Sequence, residues 1–122
     1  MGGALSTFGE KIGWDGNPID ECFSFRTFGL SMDQALSILN LPQPDFIKID
    51  VDGIEHFILE GGSCVLSNVK GILIEVNDGF KEQAHKIYNI LESLGFSLIG
   101  KEQAEWSINT VFKDCYNLIW IR

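Results

Sequence analysis

The stretch that decides the fold is residues 46–55, FIKIDVDGIE. Its first half is short and rich in β-branched side chains, which predicts a buried strand from Phe46 to Val51. Asp52 and Glu55 then have the spacing of a capping box, in which Asp52 caps a helix and Glu55 reaches back to it. A buried strand that leads directly into a helix predicts an α/β fold with a parallel sheet.

The segments downstream continue the alternation of strands and helices. Residues 71–76 predict a second buried strand, and residues 80–94 predict an amphipathic helix that Gly95 ends. Residues 96–99 and 117–121 are two more strand candidates, and the segment between them lacks the length and periodicity of a helix. We therefore expect a mostly parallel sheet with helices on both faces and an antiparallel pair of strands at one edge.

The segments upstream divide the chain into two parts. Ser31 and Gln34 predict a capping box at the start of a short helix, which begins the regular α/β region of residues 30–122. Residues 1–29 are rich in glycine and aromatic side chains and are irregular apart from a short strand candidate at Cys22–Arg26. Because this segment is too apolar for a disordered tail, we expect its aromatic side chains to pack against the rest of the protein.

Composition excludes several classes of protein. The 122 residues are 45% hydrophobic, which is enough for one domain with its own core. The net charge is −8 and the basic residues are not clustered, so nucleic acid is not an expected partner. Three cysteines lie far apart (Cys22, Cys64, Cys115), which argues against a disulfide framework and a CxxC zinc site and indicates the cytoplasm. No apolar run approaches about 18 residues, so membrane insertion is not expected.

Acidic and amide side chains follow two strands of the predicted sheet. In open parallel sheets, ligands bind at the carboxyl ends of the strands. The residues expected to meet there are Asp50, Asp52, Glu55, Glu75, Asn77 and Asp78. Their oxygen atoms could contact a hydroxyl or amine of a small-molecule substrate, and Asp50, Glu75 and Asn77 could also bind Mg²⁺.

Several of these residues also have a purely structural explanation. Asp52 and Glu55 need no function beyond helix capping. Lys48 and Glu75 lie within strands that we expect to be buried, and Lys48 therefore needs a partner, such as a carboxylate at this end of the sheet. His56 could act as a base or contact a substrate, although a helical histidine is more often solvated or hydrogen-bonded. The tryptophans show no spacing typical of a cation-binding cage and are expected in the core.

A longer pattern surrounds the first strand. It consists of KIDVDGIE at residues 48–55, ILEG at residues 58–61 and ILIEV at residues 72–76. This pattern resembles the motif K-I-D-V-E-G-x-E, then a leucine and G-A, then L-L-x-E, of the FkbM family of S-adenosylmethionine-dependent methyltransferases. The departures are small, because Asp52 replaces the usual glutamate and Gly62 stands where alanine is common.

The resemblance covers roughly residues 23–122 and implies only part of the catalytic domain of the family. Residues 30–33 and 116–121 are similar to the segments that flank the motif in the family. The glycine-rich loop that binds the cofactor in methyltransferases of this fold has no counterpart here, because the glycine turn at residues 13–16 follows no predicted strand and opens no helix. The resemblance therefore implies a partial Rossmann-like sheet made of the fourth to seventh strands, in the order 4-5-7-6.

By this resemblance, the protein transfers a methyl group from S-adenosylmethionine to a hydroxyl of a sugar, polyketide or lipid-like acceptor. Asp50 and Glu75 are the expected catalytic residues, and the expected substrate contacts are Asp52, Glu55, His56, Asn77 and Asp78. A chain without the glycine-rich loop is expected to be a fragment that is inactive alone. The strand at residues 46–51 would then be a bare edge, so we expect a homodimer or higher assembly unless residues 1–29 cover it.

Two other functions fit the sequence less closely. Residues 50–53, DVDG, also resemble the D-x-D-G motif of haloacid-dehalogenase-type phosphatases, in which Asp50 would attack phosphate and Asp52 would be the acid beside Mg²⁺. Ile54 stands where that family has threonine, and Glu75 ends a strand that would end in serine or threonine. A non-catalytic interaction module is the third hypothesis, which the sequence does not separate from a methyltransferase fragment.

Overall fold

A computed structural model describes residues 7–20 and 23–122 of the chain. The strands are β1 (Phe46–Ile49), β2 (Gly71–Asn77), β3 (Ser97–Glu102) and β4 (Cys115–Ile121). The helices are α1 (Met32–Ile38), α2 (Glu55–Glu60), α3 (Ser63–Leu66) and α4 (Lys81–Ser93), with a 3₁₀ turn at Glu105–Ser107. The predicted order of strands and helices is thus present, with α3 added.

The described strands form one mixed sheet in the order β1-β2-β4-β3. If the four strands are numbered 4 to 7 along the chain, this order corresponds to the expected 4-5-7-6. The expectation of a mostly parallel sheet is wrong, because within this sheet only β1 and β2 pair in parallel. The antiparallel pair at one edge is confirmed, since β3 and β4 run antiparallel there.

The helices of the described chain cover one face of this sheet, which corrects the expectation of helices on both faces. Ile72, Ile74 and Val76 of β2 are buried in the same apolar cluster as Leu59 of α2 and Ile87 of α4. The physical reason is the strand order. The crossovers from β1 to β2 and from β2 to β3 advance in the same direction, so right-handed connections place both sets of helices on the same side.

The turn between β1 and α2 differs from the predicted capping box. α2 begins only at Glu55, and the residue at its N-cap position is Ile54, whose side chain makes no capping hydrogen bond. Gly53 has a φ of +97°, which is not a helical conformation and which favours glycine. A Cβ atom on Gly53 would also lie 2.6 Å from the carbonyl oxygen of Gly13. The turn is therefore shaped by the close approach of the N-terminal segment, and Asp52 is not a helix cap.

The N-terminal residues divide into a packed part and an exposed part. Residues 7–20 are irregular apart from an isolated bridge between Ile12 and Pro18, and Gly13 is buried against the turn after β1. The strand candidate Cys22–Arg26 is not present in its described residues 23–26, and Cys22 lies outside the described ranges. Phe23 is 82% exposed. The expectation that the aromatic residues of this segment pack inward is therefore wrong for Phe23, and also for Phe25 and Phe28.

Asp33 joins α1 to α3. Its carboxylate accepts hydrogen bonds from the backbone N–H groups of Val65 (2.9 Å) and Cys64 (3.1 Å) and from the Ser63 hydroxyl (3.3 Å). These bonds, led by the one from Val65, hold the pKa of Asp33 below its usual range. The predicted capping box of Ser31 and Gln34 is confirmed beside it. The capping box therefore fixes the start of α1, and Asp33 fixes α1 to α3.

None of the helices in residues 7–20 and 23–122 has the length and apolarity needed to cross a membrane.

Candidate active site at the carboxyl end of β1

A cleft of about 800 Å³ opens at the carboxyl end of β1. Asp50, Val51 and Asp52 line it on the side of the sheet. The opposite side is built from two N-terminal segments, residues 7–9 and 25–27. Two of the predicted site residues therefore share an open cleft at the end of a parallel strand, which is the usual position of a ligand in α/β sheets.

Asp50 forms an ion pair with Lys48 of β1. The Nζ atom of Lys48 lies 2.7 Å from Oδ2 of Asp50, and the hydrogen bond to this carboxylate raises the pKa of Lys48. The expected carboxylate partner of Lys48 is thus present. The expected burial is wrong, because the Lys48 side chain is 60% exposed on a sheet edge. The pair orients the Asp50 carboxylate at the cleft.

Glu75, the second predicted catalytic residue, has a raised pKa. It is partly buried in β2, and this burial is the main cause that raises its pKa. The negative charges of Asp50 and Asp52 raise it further, and the Lys48 ammonium opposes them. Glu75 therefore belongs electrostatically to the same group as the two aspartates, and it holds a proton more readily than an exposed carboxylate does.

Glu55 lies in the interior and not on the surface of the cleft. It is 4% exposed; it accepts a hydrogen bond from Nε2 of Gln83 (2.6 Å) and another from the backbone N–H of Gly53 (3.3 Å). Loss of solvation is the largest cause that raises its pKa, to about 7. Glu55 therefore connects the turn after β1 to α4. The sequence predicts a substrate contact at this residue, but Glu55 does not line the cleft.

Asn77 and Asp78, at the end of β2, are bound to the loops around them. The Asn77 side chain donates to the carbonyl oxygen of Trp14 (3.1 Å) and accepts from the backbone N–H of Gly79 (2.8 Å). Asp78 pairs with Lys101 of β3 at 2.5 Å. The amide nitrogen of Asn77 therefore holds the N-terminal segment on the sheet, and its amide oxygen holds the loop between β2 and α4.

The possible Mg²⁺ site of Asp50, Glu75 and Asn77 gains no support from this arrangement. The amide oxygen of Asn77 already accepts the hydrogen bond from Gly79. Across residues 7–20 and 23–122, no three His, Cys, Asp or Glu side chains are grouped closely enough to bind a metal ion.

His56 is separate from the cleft that Asp50 lines. It is buried at 5% exposure, its ring centroid lies 3.9 Å from that of Phe57, and its Nδ1 has no hydrogen-bond partner among the described residues. Burial is the main cause that lowers its pKa, and the Lys86 charge adds to it. His56 lines a cavity of about 130 Å³ beside α4. Its Nδ1 atom is thus neither solvated nor hydrogen-bonded, whereas the sequence favours a solvated or hydrogen-bonded histidine.

A family model described as the methyltransferase FkbM domain matches residues 30–98. This match extends from the start of α1 into β3 and covers more than half of the chain. The chain belongs to the FkbM methyltransferase family. No curated protein and no solved structure matches it.

Residues 48–55 of the FkbM motif occupy β1 and the turn that follows it. Asp50 and Asp52 of this segment line the cleft, while Glu55 is buried. Sequence reasoning missed Gln83, which is fully buried and binds Glu55. A signal was present, because Gln83 is polar yet lies four residues before Ile87 on the buried side of α4. A polar residue in that position indicates a buried hydrogen-bond partner.

The glycine turn at residues 13–16 does not have the geometry of a cofactor-binding loop. Residues 13–16 form a turn closed by the N–H of Gly16 and the carbonyl oxygen of Gly13 at 3.0 Å, and no helix follows it. Within residues 7–20 and 23–122, no glycine-rich loop joins a strand to a helix. The expected cofactor loop is therefore not supplied by this part of the chain.

Proposed function

We propose that this chain supplies the acceptor-binding half of an O-methyltransferase site that uses S-adenosylmethionine, and that the acceptor is a hydroxyl of a small molecule. The observation that carries the proposal is the FkbM motif at the carboxyl end of β1, where Asp50 and Asp52 line an open cleft. The same match favours this function over the phosphatase hypothesis, because it assigns residues 50–53 to the methyltransferase motif.

Glu75 is the residue that we propose as the general base. Methyl transfer to a hydroxyl oxygen requires that oxygen to lose its proton as the new bond forms, and S-adenosylmethionine supplies the methyl group when it is bound. A carboxylate accepts a proton near neutral pH only if its pKa is raised, as burial raises that of Glu75. Asp50, oriented by Lys48, and Asp52 would accept hydrogen bonds from the acceptor and position its hydroxyl.

We also propose that these 122 residues are inactive alone, because their described part contains no cofactor loop. β1 supports the further proposal of a homodimer or higher assembly, since it lies at the edge of the sheet and Phe46 is 67% exposed. The cytoplasm is the proposed location, on the basis of the three separated cysteines.

The experiment measures the transfer of a labelled methyl group from S-adenosylmethionine to small molecules that carry hydroxyl groups. We expect no transfer and no micromolar binding of S-adenosylmethionine, measured by isothermal titration, for the 122-residue chain alone. Transfer is expected when the chain is joined to an FkbM segment that carries the glycine-rich loop. In that protein, Asp50→Asn and Glu75→Gln should each lower kcat about 100-fold or more.

Asp45→Asn is the matched control, because Asp45 also forms an exposed ion pair, with Lys70, but at the opposite end of β1. It should keep full activity. Micromolar binding of S-adenosylmethionine by the chain alone would contradict the proposed division of the site. Absence of transfer in every joined form would favour the non-catalytic interaction module instead.

A further inference from the structure

Three aromatic rings lie together at the end of β2, outside the apolar core. The ring centroids of Trp14 and Phe112 are 4.7 Å apart, and those of Trp106 and Phe112 are 5.8 Å apart in an edge-on contact. Trp106 is 67% exposed, so the expectation that the tryptophans belong to the core is wrong for Trp106, whereas it is confirmed for Trp120. We call Trp14, Trp106 and Phe112 the aromatic platform.

Trp14 and Phe112 of the aromatic platform line a second cleft, of about 550 Å³. Trp106 contacts Phe112 from outside this lining. Trp14, Phe112 and Val111 supply its apolar lining. Its polar lining comes from Asp15, Asn77 and Asp114, together with the backbone at Gly79. The cleft therefore presents two aromatic rings, tilted by 40° to each other, next to carboxylate and amide oxygens.

Hydrogen bonds fix the backbone of Trp14 and Phe112 without a ligand. Asn77 binds the carbonyl oxygen of Trp14. On the other side, the hydroxyl of Thr110 accepts from the N–H of Phe112 at 3.2 Å, and the carbonyl oxygen of Phe112 accepts from the N–H of Cys115 at 3.0 Å. A ligand that binds these residues does not have to order their backbone first, and this lowers the entropic cost of binding.

The arrangement matches a sugar ring in particular. An aromatic face carries partial negative charge, which attracts the C–H groups on the flat side of a pyranose. The hydroxyl groups at the edge of the sugar can donate to the carboxylates of Asp15 and Asp114. The described residues that line the cleft include no cation, and the net charge is −8, so a phosphorylated or otherwise anionic ligand is disfavoured.

A quaternary ammonium ion fits this cleft less well. Binding cages for such ions surround one point with several ring faces. Here Trp14 and Phe112 pack against each other at 4.7 Å, and Trp106 meets Phe112 edge-on. The rings therefore contact each other and do not surround one point at which a cation would bind.

We propose that the cleft beside the aromatic platform binds the ring of a neutral pyranoside, which rests on the proposed function because this sugar would be the methyl acceptor. A smaller cavity of about 210 Å³ is lined by Trp14, Asp15 and Asp52. It shares Trp14 and Asp15 with the sugar cleft and Asp52 with the cleft at β1. A sugar on the platform thus lies next to the carboxylates of the proposed acceptor site.

The experiment titrates the 122-residue chain with methyl α-glucoside, methyl α-galactoside and methyl α-mannoside, and follows tryptophan fluorescence and saturation-transfer NMR. At least one of the three is expected to bind with a millimolar Kd. Phe112→Leu keeps an apolar side chain but removes the ring face, and it should weaken binding about tenfold. Asp15→Asn should weaken it severalfold, because an amide is a poorer acceptor than a carboxylate.

Ile99→Ala is the matched control, because Ile99 is an exposed apolar residue of β3 that does not line the cleft. It should bind the sugar as the unchanged chain does. NMR spectra that keep the dispersed signals of the folded chain would show that Phe112→Leu still folds. Binding of none of the three sugars would overturn the proposal, as would sugar binding that Phe112→Leu leaves unchanged.

Tetramethylammonium and glucose 6-phosphate separate the alternatives. Tighter binding of either one at the same residues would overturn the assignment to a neutral sugar. Methyl transfer to a non-sugar hydroxyl without sugar binding would reject this proposal and leave the proposed function intact. Sugar binding without methyl transfer in any joined form would reject the proposed function and leave the sugar site intact.

Discussion

The two faces of the sheet differ in what covers them. On one face, Ile74 and Leu118 are completely buried under the helices. On the other face, Leu73 and Ile119, which are opposite each other in the register of β2 and β4, are only partly buried and lie outside the core cluster. The chain therefore gains its folding energy mainly from one face, and the other face carries Glu75, whose pKa the charges of Asp50 and Asp52 help to raise.

The largest expected effect tests this difference directly. Leu118→Ala removes a fully buried side chain from the covered face and should lower the free energy of unfolding by about 3 kcal/mol. Ile119→Ala, the next residue on the same strand, should lower it by only about 1 kcal/mol, because its side chain lies on the open face. Urea unfolding followed by circular dichroism measures both. Equal losses would mean that the open face is covered in solution.

A buried carboxyl on the covered side predicts a specific pH dependence. Glu55 has a pKa of about 7 in the folded chain, above the ordinary value of 4.5. The folded state therefore binds this proton more tightly than the unfolded state does. The resulting stabilisation is complete below about pH 4.5, and it is lost as the pH rises to about 7, by an amount on the order of 3 kcal/mol.

Glu55→Gln should flatten that part of the curve of unfolding free energy against pH and should be more stable than the unchanged chain above pH 7. Gln retains an oxygen that can accept the hydrogen bond from Gln83. Glu60→Gln, an exposed glutamate of the same helix, serves as the control and should leave the slope as it is. A full slope in Glu55→Gln would assign the pH dependence to other groups, such as Glu75.

Asp33 provides a smaller test of how the helical layer is joined. Asp33→Ala removes three hydrogen bonds at the start of α3 and should lower the free energy of unfolding by about 1 to 2 kcal/mol at pH 7. The difference should shrink at low pH, because the depressed pKa means that the carboxylate stabilises only while it is ionised. Asp45→Ala, an exposed carboxylate, should change stability by less than about 0.5 kcal/mol.

The smallest effect on stability is expected at the free edge of the sheet. Phe46→Lys replaces an exposed side chain of β1 and should change the free energy of unfolding by less than about 0.5 kcal/mol. It should nevertheless convert the proposed dimer to a monomer, as measured by size-exclusion chromatography with light scattering, because a charge disfavours pairing of apolar edges. A monomeric mass for the unchanged chain at high concentration would contradict the proposed assembly.

Local sequence patterns predicted much of the fold and part of the site. The apolar periodicity of α4 and the apolar run of β2 are strong signals because both elements contact the core directly. Asp50 and Asp52 were predicted at the end of β1 because strand ends are local features. The roles of Glu55 and His56 were not predictable in this way, because their burial depends on α4 and on the N-terminal segment, which are distant in sequence.

The sequence by itself determined the order of strands and helices, the capping box of α1 and the membership of the FkbM family, because each depends on residues that are near one another in the chain. Only the tertiary structure decided which face of the sheet is covered. It also decided that Gly53 takes a positive φ in place of the second capping box, and that Trp14 and Phe112 meet at one cleft. These outcomes follow from the strand order and from contacts between distant segments, which local patterns do not encode.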